Sequence, residues 1–237
     1  MQVSQFEIHR LIQRAMEALG AGFGVDRDAA RSVGWLQGRG LPALDMFDRE
    51  LAALESGLPV ARLQGQSGSE TIIDIGGSAI ACAGAVADFA LANFRKFGSA
   101  RIRLRGCTTP LFLIPALAEA ASPSASLKWV VDEDEVSVTA GGGEATIFFP
   151  DDVSLNEALA IPRGDTLLSV PALAPPPGLM AVCTPRKMAD RLNAVLSWGI
   201  DVDPELWRRI DEVAARVQVP ASEASRERGA GGGDANT

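Results

Sequence analysis

Ala100-Arg101-Ile102-Arg103-Leu104-Arg105-Gly106-Cys107-Thr108-Thr109-Pro110 is the stretch on which the fold of this chain turns. Side chains in a strand change face at every residue, so all three guanidinium groups project to one side and Ile102 and Leu104 to the other. The strand, Ala100 to Arg105, therefore has one core face and one face that is wet or meets an anion. Gly106 to Thr109 form a turn, and either Thr108 or Thr109 is placed to cap a helix whose first position is Pro110. Before the strand, an apolar helix is expected over about Ile80 to Phe97, and another strand begins at Leu127.

Working outward toward the N-terminus, Ser4 and Glu7 have capping-box spacing. Ile8, Leu11, Ile12, Ala15, Met16 and Leu19 follow at helical spacing, which predicts an amphipathic helix over Phe6 to Leu19. Asp26 or Asp28 starts a second helix that buries Ala29, Val33 and Leu36 and breaks at Gly38 and Gly40. Leu44, Phe47, Leu51 and Leu54 give a third, ending at Gly57. Residues 1–57 thus read as a helical region. From Pro59 the pattern changes, and β-branched Thr71 to Ile75 reads as a strand.

Toward the C-terminus, Leu127 to Val131, Glu135 to Thr139 and Ala145 to Phe149 read as three more strands, so residues 58–150 form an α/β core. Pro171 and Pro175-Pro176-Pro177 exclude a continuous helix from 151–182, which is expected to be an irregular segment crossing between layers. In 183–219, Thr184-Pro185 caps a helix burying Met188, Leu192 and Val195 and stopping at Gly199. Asp203-Pro204 starts the last helix, with Leu206, Ile210, Val213 and Val217 on one face. The Gly-, Ala- and charge-rich residues 220–237 read as a flexible tail. The fold expected is α+β: N-terminal and C-terminal helices packed together beside a mixed β-sheet.

The formal net charge of -8 disfavours nucleic acid as a partner, because a phosphate backbone is repelled outside any local patch. Cys82, Cys107 and Cys183 are too scattered for a disulfide framework or a zinc ligand set, so no metal is expected and a reducing, cytoplasmic location is. No apolar run reaches membrane-spanning length, and the charged N-terminus is not a signal peptide. The chain has no tyrosine, and His9 is its one histidine. A mechanism that needs either as proton donor can use only His9, which sits at the edge of a helix's apolar face and reads as a packing or solvated residue.

The candidate ligand site is the turn and the strand before it. Arg103 and Arg105, with the Thr108 and Thr109 hydroxyls and the amides of the helix start, are suited to a carboxylate or phosphate. The plainer alternative is a solvated strand face paired with Asp132 to Glu135. Cys107, before a helix start, is either an unreactive turn residue or a thiol of lowered pKa. Asp74 and Asp134 are the carboxylates considered as proton donors beside it. Gly141-Gly142-Gly143 reads as a hairpin turn, without the lysine of a phosphate-binding loop. In the tail, Glu223, Ser225 and Arg226 are candidates for folding over a site or a partner.

Two resemblances add to this. Val3-Ser4-Gln5-Phe6-Glu7-Ile8, Trp35-Leu36 to Gly40-Leu41-Pro42, and Val219 to Arg226 with Gly229-Ala230-Gly231 resemble a bacterial family known only as a domain of unknown function, over nearly the whole chain. Residues 29–150 are similar to the type-2 malate/lactate dehydrogenases. The similarity rests on Arg39-Gly40, Leu54-Glu55-Ser56-Gly57, Ile73-Asp74, Gly98 and the strand and turn after it, Gly141-Gly142-Gly143-Glu144 and Phe149-Pro150. It implies a non-Rossmann scaffold, NAD(P)-dependent reduction of 2-oxo or cyclic imino acids, and a homodimer.

That family carries a histidine shortly after the Arg-Gly pair and another in the turn after the central strand. Here Leu41-Pro42-Ala43 and Cys107-Thr108-Thr109-Pro110 stand in those places. Reduction of a ketone needs a proton delivered to the developing alkoxide, and threonine is a poor donor unless relayed. The expectation is therefore a diverged relative of 2-oxo-acid reductases that binds a small anionic metabolite or assembles with a metabolic enzyme. The alternative is an active NAD(P)-dependent oxidoreductase in which Cys107, Asp74 or Asp134 replaces histidine.

Overall fold

The computed structural model describes residues 1–120, 124–131, 133–150, 162 and 164–217. The helical layer opens with α1 (Gln5–Ala18), α2 (Val25–Gly38) and α3 (Ala43–Ser56). Ser4 caps α1 in a full capping box: its side chain accepts from the Glu7 amide, and Glu7 accepts from the Ser4 amide at 2.7 Å. The Ser4 amide bond, with a second bond that the Ser4 hydroxyl donates to the same carboxylate at 2.8 Å, holds the Glu7 carboxyl below the usual carboxylate range. The face of α1 read from periodicity, Ile8, Leu11, Ile12, Ala15 and Met16, is buried.

The start of α2 differs from expectation. Neither aspartate caps it; Gly24 holds the cap position, and Asp26 turns back to accept from the Gly24 amide at 3.0 Å and from Gln13 at 2.9 Å.

One eight-stranded sheet lies beside this layer, with strand order β2-β3-β4-β8-β5-β6-β7-β9. In chain order its strands are β2 (Arg62–Ser67), β3 (Glu70–Gly77), β4 (Ala100–Cys107), β5 (Ala125–Val131), β6 (Asp134–Gly141), β7 (Glu144–Phe149), β8 (Thr166–Val170) and β9 (Met180–Cys183). A two-residue strand β1 (Gln2–Val3) pairs separately with β10 (Ile200–Asp201). Among the described residues only β3 and β4 pair in parallel, joined through α4 (Ala83–Phe97), and every other pairing is antiparallel.

Three readings are corrected here. The 151–182 stretch is not only a crossing loop, because β8 inserts between β4 and β5 and β9 forms an edge. The helix after the central turn is a 3₁₀ turn (Pro110–Phe112) followed by α5 (Leu113–Glu119). Thr109 occupies the cap position without a capping bond, its hydroxyl being used elsewhere.

The final helices are α6 (Pro185–Trp198), capped by Thr184 with only Met188 fully buried, and α7 (Pro204–Ala214), which packs against α1. Leu206, Ile210 and Val213 are buried as expected, whereas Val217 is exposed. One continuous apolar core joins the helices to the inner sheet face, where Ile73, Ile102, Leu104, Leu168, Leu127 and Val138 meet α4 and α5. Burying each such aliphatic contributes about 1.5–3 kcal/mol. Among the described residues no helix is long and apolar enough to cross a membrane.

Candidate functional site

The alternation in β4 folds as its sequence dictates. Ala100, Ile102 and Leu104 are buried and Arg101, Arg103 and Arg105 lie on the open face. Strand register extends that face sideways. Gly65, Ile72, Arg103 and Leu167 stand in one row across β2, β3, β4 and β8, and Ser67, Glu70, Arg101 and Ser169 in the next.

Over these rows lies a groove of about 700 Å³, with Leu173 on its far side. The amide of Leu173 donates to Ser126 Oγ at 3.0 Å and so fixes that wall to β5. Arg103 pairs with Asp165 at 3.3 Å, and Arg101 lies 4.0 Å from Glu70. These are not the partners considered from sequence. Glu135 pairs instead with Lys128 at 3.3 Å, and Asp132 lies outside the described residues.

The turn after β4 belongs to the other side. Gly106 has φ 61°, and a Cβ there would lie 3.3 Å from the Gly76 amide nitrogen, so the two backbones are in close contact. Cys107 is 2 % exposed, and burial pushes its thiol up to about 12. The Thr108 amide donates to the Gly77 carbonyl at 3.0 Å and its hydroxyl to Glu50 Oε2 at 3.0 Å. Thr109 is fully buried; its Oγ1 lies 2.5 Å from Ser78 Oγ and accepts from the Ala79 amide at 3.2 Å.

The expected residues therefore fall into two groups. Arg103, with Arg101 and Glu70, lines the groove; Cys107, Thr108 and Thr109 are packed against α3 and the Ser78 segment. Arg105 stands on the open face beside Asp74, its partner in register, outside the groove lining. Asp134 starts β6 and is exposed. Glu223, Ser225 and Arg226 lie outside the described residues. His9 is half-buried between α1 and α2, its pKa lowered first by desolvation and then by Arg31 and Arg10.

Sequence reasoning missed Glu50, which is 6 % exposed. Its signal was present: Phe47, Glu50 and Leu54 are spaced three and four apart, so a carboxylate sits on the apolar stripe of α3. Gly65, Glu70 and Asp165 were missed because they come to Arg101 and Arg103 only through sheet register and the return of β8.

Residues 3–84 match the model of a family described as a protein of unknown function, DUF3726. No curated protein matches the sequence. Solved structures do match in shape. A dehydrogenase from Sinorhizobium meliloti superposes with TM-score 0.68 at 13 % identity, over 91 % of this chain and 99 % of that one. A malate dehydrogenase from Pyrococcus horikoshii gives 0.66 at 11 %, over 92 % and 96 %. Δ1-piperideine-2-carboxylate reductase from Pseudomonas syringae gives 0.61 at 12 %, over 90 % and 99 %. At these identities the likeness is one of architecture: this chain, whose residues 3–84 match that family model, has the α+β fold of the type-2 malate/lactate dehydrogenases.

Proposed function

We propose that the protein is a diverged relative of 2-oxo-acid reductases that binds a small carboxylate metabolite in the open-face groove, in the cytoplasm. The observation that carries this reading is the placement of Arg101 and Arg103 on the lining of a 700 Å³ groove beside apolar Ile72 and Leu167. Ligand sites commonly combine apolar walls with a few convergent polar groups, and a guanidinium's planar fork matches a carboxylate. Three free, buried cysteines accord with a reducing compartment.

Against an active NAD(P)-dependent oxidoreductase stands the packing at the turn where that chemistry would be sought. Gly106 is closed onto Gly76, Thr109 is fully buried, and the Cys107 thiol is pushed up to about 12, so these residues do not fit a nicotinamide ring or a proton transfer near neutral pH. A homodimer or a partner enzyme accords with the reading but has no single contact behind it.

The test is a thermal-shift and calorimetric survey of small carboxylates and 2-oxo acids, with Arg103→Ala beside the wild type. Binding that is lost in Arg103→Ala is the expected result. If no carboxylate binds at millimolar concentration, or if NADH binds by fluorescence titration and is oxidised with a 2-oxo acid, the reading is wrong.

A further inference from the structure

We propose that the groove selects a monocarboxylate with a branched aliphatic body, and that Gly65 sets how large that body can be, an inference resting on the carboxylate reading above. Along the row Gly65, Ile72, Arg103 and Leu167, the guanidinium has an aliphatic residue on each neighbouring strand. Leu167 and Leu173 are both more than two-fifths exposed, and Ile72 is half-buried, so apolar surface lies open beside the charge.

Gly65 is an unusual occupant of its place. Glycine inside a strand weakens it and is normally explained by a left-handed φ, a bulge that needs one, or a close neighbour. A register shift does fall between Leu63 and Gly65, yet Gly65 is absent from the left-handed region and a Cβ added to it meets no atom within 4 Å. The backbone does not require glycine here. A side chain here would instead enter open space beside Ile72, on the lining of the groove.

Charge narrows the ligand further. Arg101 is offset by Glu70 and Arg103 by Asp165. Arg103 reaches Asp165 through Nη1 alone and its side chain is half exposed, so donors of the fork remain for one carboxylate. A second carboxylate on the same ligand would meet Glu70 and Asp165, like charges that oppose it.

The test titrates the full chain by ligand-observed NMR with 4-methylpentanoate, acetate and glutarate. Each buried methylene is worth about fourfold in affinity, so 4-methylpentanoate should bind at least about tenfold tighter than acetate, and tighter than glutarate. Gly65→Leu, checked by circular dichroism for an unchanged fold, should weaken 4-methylpentanoate about tenfold or more and acetate less than about threefold. Equal binding of all three acids, or a Gly65→Leu variant that treats 4-methylpentanoate as the wild type does, overturns the inference. If those results come with Arg103-dependent binding, the carboxylate reading survives and only the size selection fails. If wild type binds none of the acids, both fail.

Discussion

Glu50 on α3 accepts a hydrogen bond from the Thr108 hydroxyl at 3.0 Å, tying the third helix to the turn that follows the central strand. That turn is one of the two places where the resemblance implies a histidine; the other, Leu41-Pro42-Ala43, lies at the start of the helix that carries Glu50. The bond is part-buried: Glu50 is 6 % exposed and Thr108 half-buried. Glu50→Ala should lower stability by about 1–2 kcal/mol, the range for losing a part-buried hydrogen bond to a carboxylate. Glu50→Gln, which keeps an acceptor oxygen, should lose less. Urea unfolding followed by circular dichroism measures both, and equal losses would show that the bond is not the cause.

Cys107 should be nearly inert in the folded protein. With burial pushing its thiol up to about 12 from an ordinary 9.0, the thiolate fraction at neutral pH falls on the order of a thousandfold. Iodoacetamide labelling at pH 7.5, read by mass spectrometry, should mark Cys107 only after denaturant is added. Native labelling at the rate of free cysteine would contradict the packing described.

His9 should give stability a pH dependence. Its folded pKa lies below the ordinary 6.5, chiefly through desolvation and then through Arg31 and Arg10. The unfolded chain therefore binds the proton more readily, so stability is highest above pH 6.5 and is lost as pH falls through the folded value. In His9→Asn that slope should flatten. Melting temperatures of both proteins between pH 5 and pH 7.5 make the comparison, and parallel curves would assign the slope to other groups.

Two glycines should respond differently to alanine. A Cβ on Gly141 would lie 2.8 Å from Ser124 Cα, too close without backbone movement, so Gly141→Ala should cost about 1–3 kcal/mol. Gly65→Ala enters open space and should change stability by less than about 0.5 kcal/mol in either direction. Chemical denaturation of the pair decides it; similar values for both would mean that the turn at Gly141 relaxes.

Much of the fold was legible because local rules and tertiary packing agree in it. The Ser4–Glu7 capping box, the apolar stripe of α1 and the alternation of β4 all describe elements whose buried face is written in adjacent residues. β2 was not legible, since Arg62 to Ser67 are all exposed at a sheet edge and carry no period-two pattern. β8 was hidden differently: Thr166 to Val170 is short, lies near prolines, and has its pairing partners about sixty to seventy residues back in β4 and about forty in β5. Arginines sharing a face was a one-strand inference and held; which residues stand opposite them depended on four strands coming together. The threonine hydroxyls were expected to look outward, but Ser78 and Glu50, from other elements, bring them into packed contacts.

The place of β8 also bears on how the molecule can be assembled. Synthesis on the ribosome delivers β4 and β5 well before Thr166, and until that five-residue strand arrives the two halves of the sheet have no partner at their facing edges. Unmated edges invite pairing with other chains. A nascent protein arrested before residue 166 would therefore be a pair of incomplete sheets rather than a shorter version of the native one, and completion of the fold waits on a strand that emerges after both of its neighbours.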